Sequence, residues 1–350
     1  CPPGLACAAA DSMVYPPTAL QARIELQSAD YAADGLTTLR TRLSIDGSLV
    51  GSRRVGNSVL LVTTHTPQLA ADQLPTTASA SDREAALAAL RTADLLPQLR
   101  VDDGPAQPLV QETDCLLQPA SRSLSITVTT VVRIDLGSPA LPRQALCFLG
   151  GTEALYLAAQ GLYLATTRSA LPVLQPDGSL RYPDEVRTDI HRWTWDGDRV
   201  RYRASGDVAG HLGWDPLRMA LRLSEHAGDL RVLSYTGSMG WGAVAEPGRE
   251  TSPATLTVLR EDAASARLVP LATLPNTRRP ALLGKPGEQI YGVRFAGARA
   301  YLVTYRQTDP LYVLDLSDPA DPRTAGELEM PGFSDVLQPL GTALLVGVGR

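Results

Sequence analysis

The sequence predicts an all-β fold: a β-propeller of four-stranded antiparallel blades, about five of them in this chain, with one short helical insertion. Three observations predict it. Short apolar runs rich in Val, Tyr, Phe and Leu recur between Gly, Asp and Pro; Ile290–Phe295, Ala300–Tyr305 and Leu311–Leu316 are the clearest. Such runs read as strands joined by tight turns. A strand, a glycine turn and an apolar strand then repeat at 49–65, 153–168, 219–237, 290–306 and 334–350, and a repeated four-strand unit of roughly 40–50 residues is the mark of a propeller blade. Finally, Tyr301–Tyr305 and Leu311–Leu314 carry apolar side chains on both faces. A sheet solvated on one side alternates, whereas a blade is covered by neighbours on both. One or two β-sandwiches are the competing fold, but they do not demand copies of one unit.

Taken in order, residues 1–19 are Pro- and Ala-rich and read as a loop. Each glycine hairpin is expected to close a blade opened by the strand pair before it. The blades are then about 20–66, 121–168, 186–237, 254–306 and 309–350, within one propeller over 20–350. The hairpin turns carry Gly56, Gly161, Gly228, Gly297 and Gly341, because glycine reaches the positive φ that such turns require. Between the first two blades, Ser81-Asp82-Arg83-Glu84 reads as a capping box opening a helix that Pro97 stops, so a helical insertion is expected over 81–97. This insertion belongs on the outside or at a rim, and Val101–Pro119 reads as irregular.

Composition narrows the function classes. Of the 350 residues 44% are hydrophobic, enough for a real core, and the net charge is −5. A broad nucleic-acid footprint needs a basic surface, so no nucleic-acid partner is expected. Lys285 is the only lysine, a bias attributed to a GC-rich genome rather than to an arginine site. No run of 18 apolar residues is present, so no transmembrane segment is expected. The chain opens at Cys1 without a methionine and closes on an apparent strand, and is read as a processed chain or a fragment.

Four cysteines allow three pairings. Cys115 and Cys147 flank the first strand pair of the second blade, and that bridge is the one expected. Cys1 and Cys7 could close a small Pro-Gly loop, and Cys1 could carry a lipid. Four free thiols remain the alternative. There is no CxxC, and no His sits near a Cys, so zinc is not expected.

The search for chemistry finds no catalytic, cofactor-binding or metal-binding set. His65, His191, His211 and His226 form no HExxH or other close metal spacing. Ser238 lacks the GxSxG context of a nucleophile elbow. Gly284-Lys285 has no phosphate-loop spacing, and there is no SxDxGxxW box. Asp315 to Asp321 could suggest calcium, but without the EF-hand spacing a turn set by Asp, Ser and Pro accounts for them. Trp193, Trp195 and Trp214, with Arg192, Arg201 and Arg203, are the weak candidates for a ligand surface; packing at a blade edge explains them as well.

The run GEQIYGVRFAGARAYLVTYRQTDPLYVLDLSDPADPRTAGELEMPGFSDVLQPLG at 287–341, supported by 47–63, 204–213 and 229–237, resembles a bacterial and archaeal family of secreted proteins with a C-terminal β-propeller distantly related to WD40 repeats. The resemblance covers most of the chain from about residue 37. It implies a propeller and export, to the cell envelope, the periplasm or the medium. It transfers no active site, and the tail of that family's propeller is missing here. The function expected is an exported, non-catalytic binding or scaffold module for a protein or polysaccharide ligand, with no cofactor. A propeller enzyme, such as a hydrolase, a lyase or a quinone-cofactor dehydrogenase with its site in the central funnel, is the alternative.

Overall fold

The computed structural model describes residues 22–67, 79–116, 127–159, 161–169, 173–177, 180–181, 186–196, 199–237, 252–305, 309–330, 334–341 and 344–349. The chain divides into two compact units, residues 1–151 and 152–350. Cys1, Cys7 and Ser238 lie outside the described residues.

The first unit opens with β1 (Arg23–Tyr31), β2 (Thr37–Asp46), β3 (Ser48–Val55) and β4 (Ser58–His65). A long excursion follows: α1 (Ala80–Ala88), α2 (Thr92–Leu95), β5 (Gln98–Val101), β6 (Gln107–Pro108) and β7 (Cys115–Leu116), before β8 (Val128–Asp135) and β9 (Arg143–Leu149). The expected grouping of the first four strands in one sheet does not hold. The sheets run β1-β2-β5-β6 and β3-β4-β8-β9-β7. The reason is the single residue between β2 and β3. Gly47 alone is too short for a two-residue hairpin, so β3 leaves the sheet of β2. The hairpin β3-β4 pairs forward instead, with β4 against β8 from Ser58/Asp135 to His65/Val128.

Beyond the helical insertion, the stretch from Val101 expected to be irregular carries two short strands, β6 and β7. The excursion donates β5 and β6 to the edge of the first sheet and sets β7 beside β9. Its helix begins two residues earlier than predicted. Ser79 Oγ accepts the Asp82 N–H, and the Asp82 carboxylate accepts the Ser79 N–H, both at 3.2 Å, so the box is Ser79/Asp82 and not Ser81/Glu84. The first helix stops at Ala88 and Arg91 is extended, but a second turn, α2, resumes and ends at Leu95, just before Pro97, so the helical insertion is broken in two rather than continuous. Between the two sheets Leu43, Ile45 and Leu99 meet Leu61, Val132 and Ile134 in one core. Each such side chain contributes about 2 kcal/mol by leaving water.

The second unit repeats a simpler scheme. Its strands are β10 (Ala154–Leu157), β11 (Gly161–Ser169), a two-strand ribbon β12 (Val173–Leu174) and β13 (Leu180–Arg181), then β14 (Val186–Asp196) and β15 (Arg199–Ala209). A short helix α3 (Pro216–Met219) leads to β16 (Leu223–His226), β17 (Asp229–Tyr235), β18 (Ala254–Asp262) and β19 (Arg267–Leu274). Next come β20 (Gln289–Ala296), β21 (Arg299–Tyr305), β22 (Asp309–Asp315) and β23 (Arg323–Met330), and lastly β24 (Ser334–Leu340) and β25 (Leu344–Gly349). Strands β10-β11-β14-β15 form one antiparallel set and β16-β17-β18-β19 another; a single parallel bridge, Ser205 to Arg267, joins their outer strands. Strands β20 to β23 form the next sheet and β24-β25 a hairpin. Here too the glycine hairpins β10-β11, β16-β17 and β20-β21 each open a sheet that later strands complete, the reverse of the expected order.

Successive sheets in this unit are stacked face on face. Along β17, Leu230 and Val232 pack towards β11 and β14, while Leu233 packs towards β20 and β21. Along β21, Ala300 and Leu302 face back to that core while Tyr301 and Val303 face β24-β25. Alternate residues of one strand thus enter two different cores, which is why these runs are apolar throughout. Gly56, Gly228, Gly297 and Gly341 have positive φ as expected, but Gly161 does not. It opens β11, where a Cβ would stand 3.5 Å from Glu225 Oε2.

Candidate functional site

The polar side chains that converge most closely lie in the seam between the β10–β15 set and the β16–β19 set. Tyr156, Tyr163 and Arg192 stand opposite one another on β10, β11 and β14. From the facing set, β16 presents Glu225 and β18 presents Glu261. The Tyr163 hydroxyl donates to Glu225 Oε2 at 2.6 Å, and the Glu225 backbone N–H donates to the Tyr156 hydroxyl at 3.0 Å. Arg192 Nη1 donates to Glu261 at 2.8 Å and its Nη2 reaches Glu225 at 3.5 Å, while Arg203 holds the other Glu261 oxygen. The Arg192 guanidinium also lies over the Tyr163 ring, 5.5 Å from its centroid.

Two guanidinium groups and two carboxylates balance in charge here. The Arg192, Glu225 and Glu261 side chains are only 15, 16 and 10% exposed. At that depth ion pairs are strong but desolvation is costly, so the hydrogen bonds decide the balance. Burial, and the Glu225 carboxylate accepting its proton, push the Tyr163 phenol above its ordinary pKa. A general acid works best with a pKa near the working pH. The arrangement therefore acts as a clasp between sheets. A second clasp lies elsewhere in the β10–β15 set, where Arg168 forks onto Asp189 at 2.9–3.1 Å and also reaches Asp207.

Two buried arginines fasten the next sheet at both ends of β20. Arg222 donates to the Ile290 carbonyl at 3.0 Å. Arg231 donates to the Gly297 carbonyl and to Ser224 Oγ at 2.6 and 2.7 Å, over the ring of Phe295. Burial lowers the pKa of each to about 10.

The residues singled out from the sequence are dispersed. Trp193 is fully buried, edge-on to Tyr202 with centroids 4.9 Å apart, so it is core and offers no ligand face. Trp195 is half-buried, whereas Trp214 is 48% exposed on the loop after β15, against His211. His191 and His211 are buried, and burial takes both down to about 4. Cys115 lies opposite Cys147 across β7 and β9 and the two are joined by a disulfide. The acidic run is a turn: Asp315 accepts the Ser317 N–H and pairs with Arg323, Asp318 accepts the Ala320 N–H, and Asp321 pairs with Arg279. The Tyr156, Tyr163, Glu225 and Glu261 group was missed. Only Arg192 and Arg203 of this seam stood out, because its members are far apart in sequence.

In the first unit, Ala93, Leu96, Pro108, Val110 and Glu112 line an open cleft of about 280 Å³. Among the described residues no helix is long and apolar enough to cross a membrane.

A family model described as a beta propeller domain matches residues 7–350. Over 64 residues the chain is 53% identical to an uncharacterized protein of Methanocaldococcus jannaschii, a match covering 18% of this chain and 10% of that protein. Over 63 residues it is 52% identical to an uncharacterized protein of Archaeoglobus fulgidus, with the same coverage. The matched stretch thus covers about a tenth of the length of each of these curated relatives. Among solved structures, a crystal structure of an ACO/RPE65 chimera is 12% identical with a TM-score of 0.32, covering 60% of this chain and 45% of that one.

Proposed function

Because the chain belongs to the beta propeller domain family, we propose that it serves as an exported, non-catalytic binding or scaffold module whose ligand is a protein or polysaccharide of the cell envelope or its surroundings. One observation carries the reading: Cys115 and Cys147 are joined by a disulfide. The disulfide supports export, since such bridges persist in oxidising compartments.

The enzyme alternative would draw on the polar seam, where both carboxylates are already held by guanidinium groups and a phenol. The test is retention on cell-envelope fractions. The oxidised chain is retained saturably, and pretreating the fractions with a protease or with a polysaccharide hydrolase tells the two ligand classes apart. Absence of saturable retention would refute the reading.

A further inference from the structure

The loop that leaves β15, Gly210 to Asp215, closes over a buried guanidinium to which the nearby carboxylate, Asp215, is not directly paired. Arg222 is only 6% exposed. Its Nη2 donates to the Ile290 carbonyl, but its Nη1 is buried with no hydrogen-bond partner. Asp215, whose charge still reaches it, is held by Arg218 at 3.0 Å. Even lowered to about 10, its pKa leaves Arg222 charged at neutral pH.

A second orphan donor belongs to the same cluster. His211 is 3% exposed, and its Nδ1 accepts the Gly213 N–H at 2.9 Å. The neutral ring therefore carries its proton on Nε2, and Nε2 is also buried without a partner. Gly213 ties the two side chains together. Besides that N–H, a Cβ built on it would stand 2.9–3.2 Å from Arg222 Nη2, Cζ and Nη1. The rings of Trp214 and Tyr235 flank the imidazole at 4.6 and 5.1 Å.

Buried donors are almost always satisfied, and a buried charge left unpaired is among the most costly arrangements in a fold. A water molecule would satisfy the N–H groups but leave the charge. A small anion does both. We infer that Arg222 Nη1 and His211 Nε2 hold a monovalent inorganic anion of halide size. Larger oxyanions call for more donors than these two N–H groups supply. The turn that carries Arg222 packs against β10, β17 and β20, so the ion would help to tie three successive sheets together.

The test is anomalous diffraction from crystals of the whole chain grown in bromide, paired with melting at constant ionic strength. A bromine peak in contact with both Arg222 and His211 is expected. In solution, replacing a bulky anion such as gluconate with bromide raises the melting midpoint saturably. In Arg222→Met the same rise needs about tenfold more bromide or is absent. No bromine peak at Arg222, or identical bromide dependence in the two proteins, would overturn the inference. Diffraction needs no variant, so it decides the matter even if Arg222→Met does not fold.

Discussion

Replacing Gly210 with alanine tests how tightly the β15 exit loop is built. Gly210 has φ +80, where an L side chain costs about 1–2 kcal/mol. An added Cβ would stand 1.9 Å from the Tyr235 carbonyl oxygen and 2.7 Å from its carbon. That carbonyl cannot withdraw freely. It accepts the His211 N–H at 3.1 Å, and the Tyr235 N–H donates to His211 at 2.8 Å. Nor can Gly210 move, because its N–H donates to Val186 at 2.7 Å and its carbonyl accepts the Thr188 hydroxyl at 2.8 Å. Relieving the clash breaks about two of these bonds, at about 1 kcal/mol each. The total is about 3–4 kcal/mol, a large part of the 5–15 kcal/mol of a typical domain. Gly297→Ala is the control: φ is +56 but nothing lies within 4 Å of the added carbon, so about 1–2 kcal/mol is expected. Urea unfolding followed by tryptophan fluorescence suits the comparison, since Trp193, Trp195 and Trp214 lie in the second unit and no tryptophan occurs in residues 1–151. Equal losses from the two substitutions would refute the close packing argued here.

Two further outcomes are expected. Peptide mass mapping without reductant finds Cys115 linked to Cys147; with a sequence separation of 32, Cys115→Ser costs about 3–4 kcal/mol through the freed unfolded chain, and an unchanged urea midpoint of the first unit would contradict this. His191 and His211 have folded pKa values of about 4 against 6.5 for an exposed ring, so the unfolded chain takes up these protons first as pH falls. The stability they contribute is complete above 6.5 and is lost as pH falls towards 4, about 3 kcal/mol for each; His191→Gln therefore flattens the pH dependence of the fluorescence midpoint, and an unaltered slope would count against a buried neutral ring.

Much of the architecture is written locally. The strands, the glycine turns at 56, 228, 297 and 341 and the doubly apolar runs such as Tyr301–Tyr305 follow from the alternation of side chains and the demands of tight turns. What periodicity cannot supply is the phase of the repeat. A hairpin flanked by strand pairs on both sides pairs equally well, on local grounds, with either neighbour. A signal was present nonetheless. Asp135, Asp262 and Asp315 each end the third strand of a sheet, and each carboxylate accepts an N–H of the turn that follows. That recurring Asp marks where the third strand stops. Strands β5 to β7 escaped notice because two to four residues are too few to show a period. The capping box was misplaced because Ser79/Asp82 and Ser81/Glu84 both carry the residue types. The seam of Tyr163, Arg192, Glu225 and Glu261, and the meeting of Arg222 with His211, depend on sheets stacking across tens of residues, which no local pattern reports.

The central structural claim is that the glycine hairpins β3-β4, β10-β11, β16-β17 and β20-β21 each open a sheet completed by later strands. Its most direct test places cysteines at His65 and Val128, which face each other across β4 and β8 despite the long excursion between them. Directly opposed strand residues have Cβ atoms about 4.5–5.5 Å apart, close to disulfide reach. Under mild oxidation, peptide mapping of the His65→Cys, Val128→Cys chain should show that bridge beside Cys115–Cys147. Persistent free thiols at both positions, with Cys115–Cys147 intact, would contradict the forward pairing and the stacking built on it.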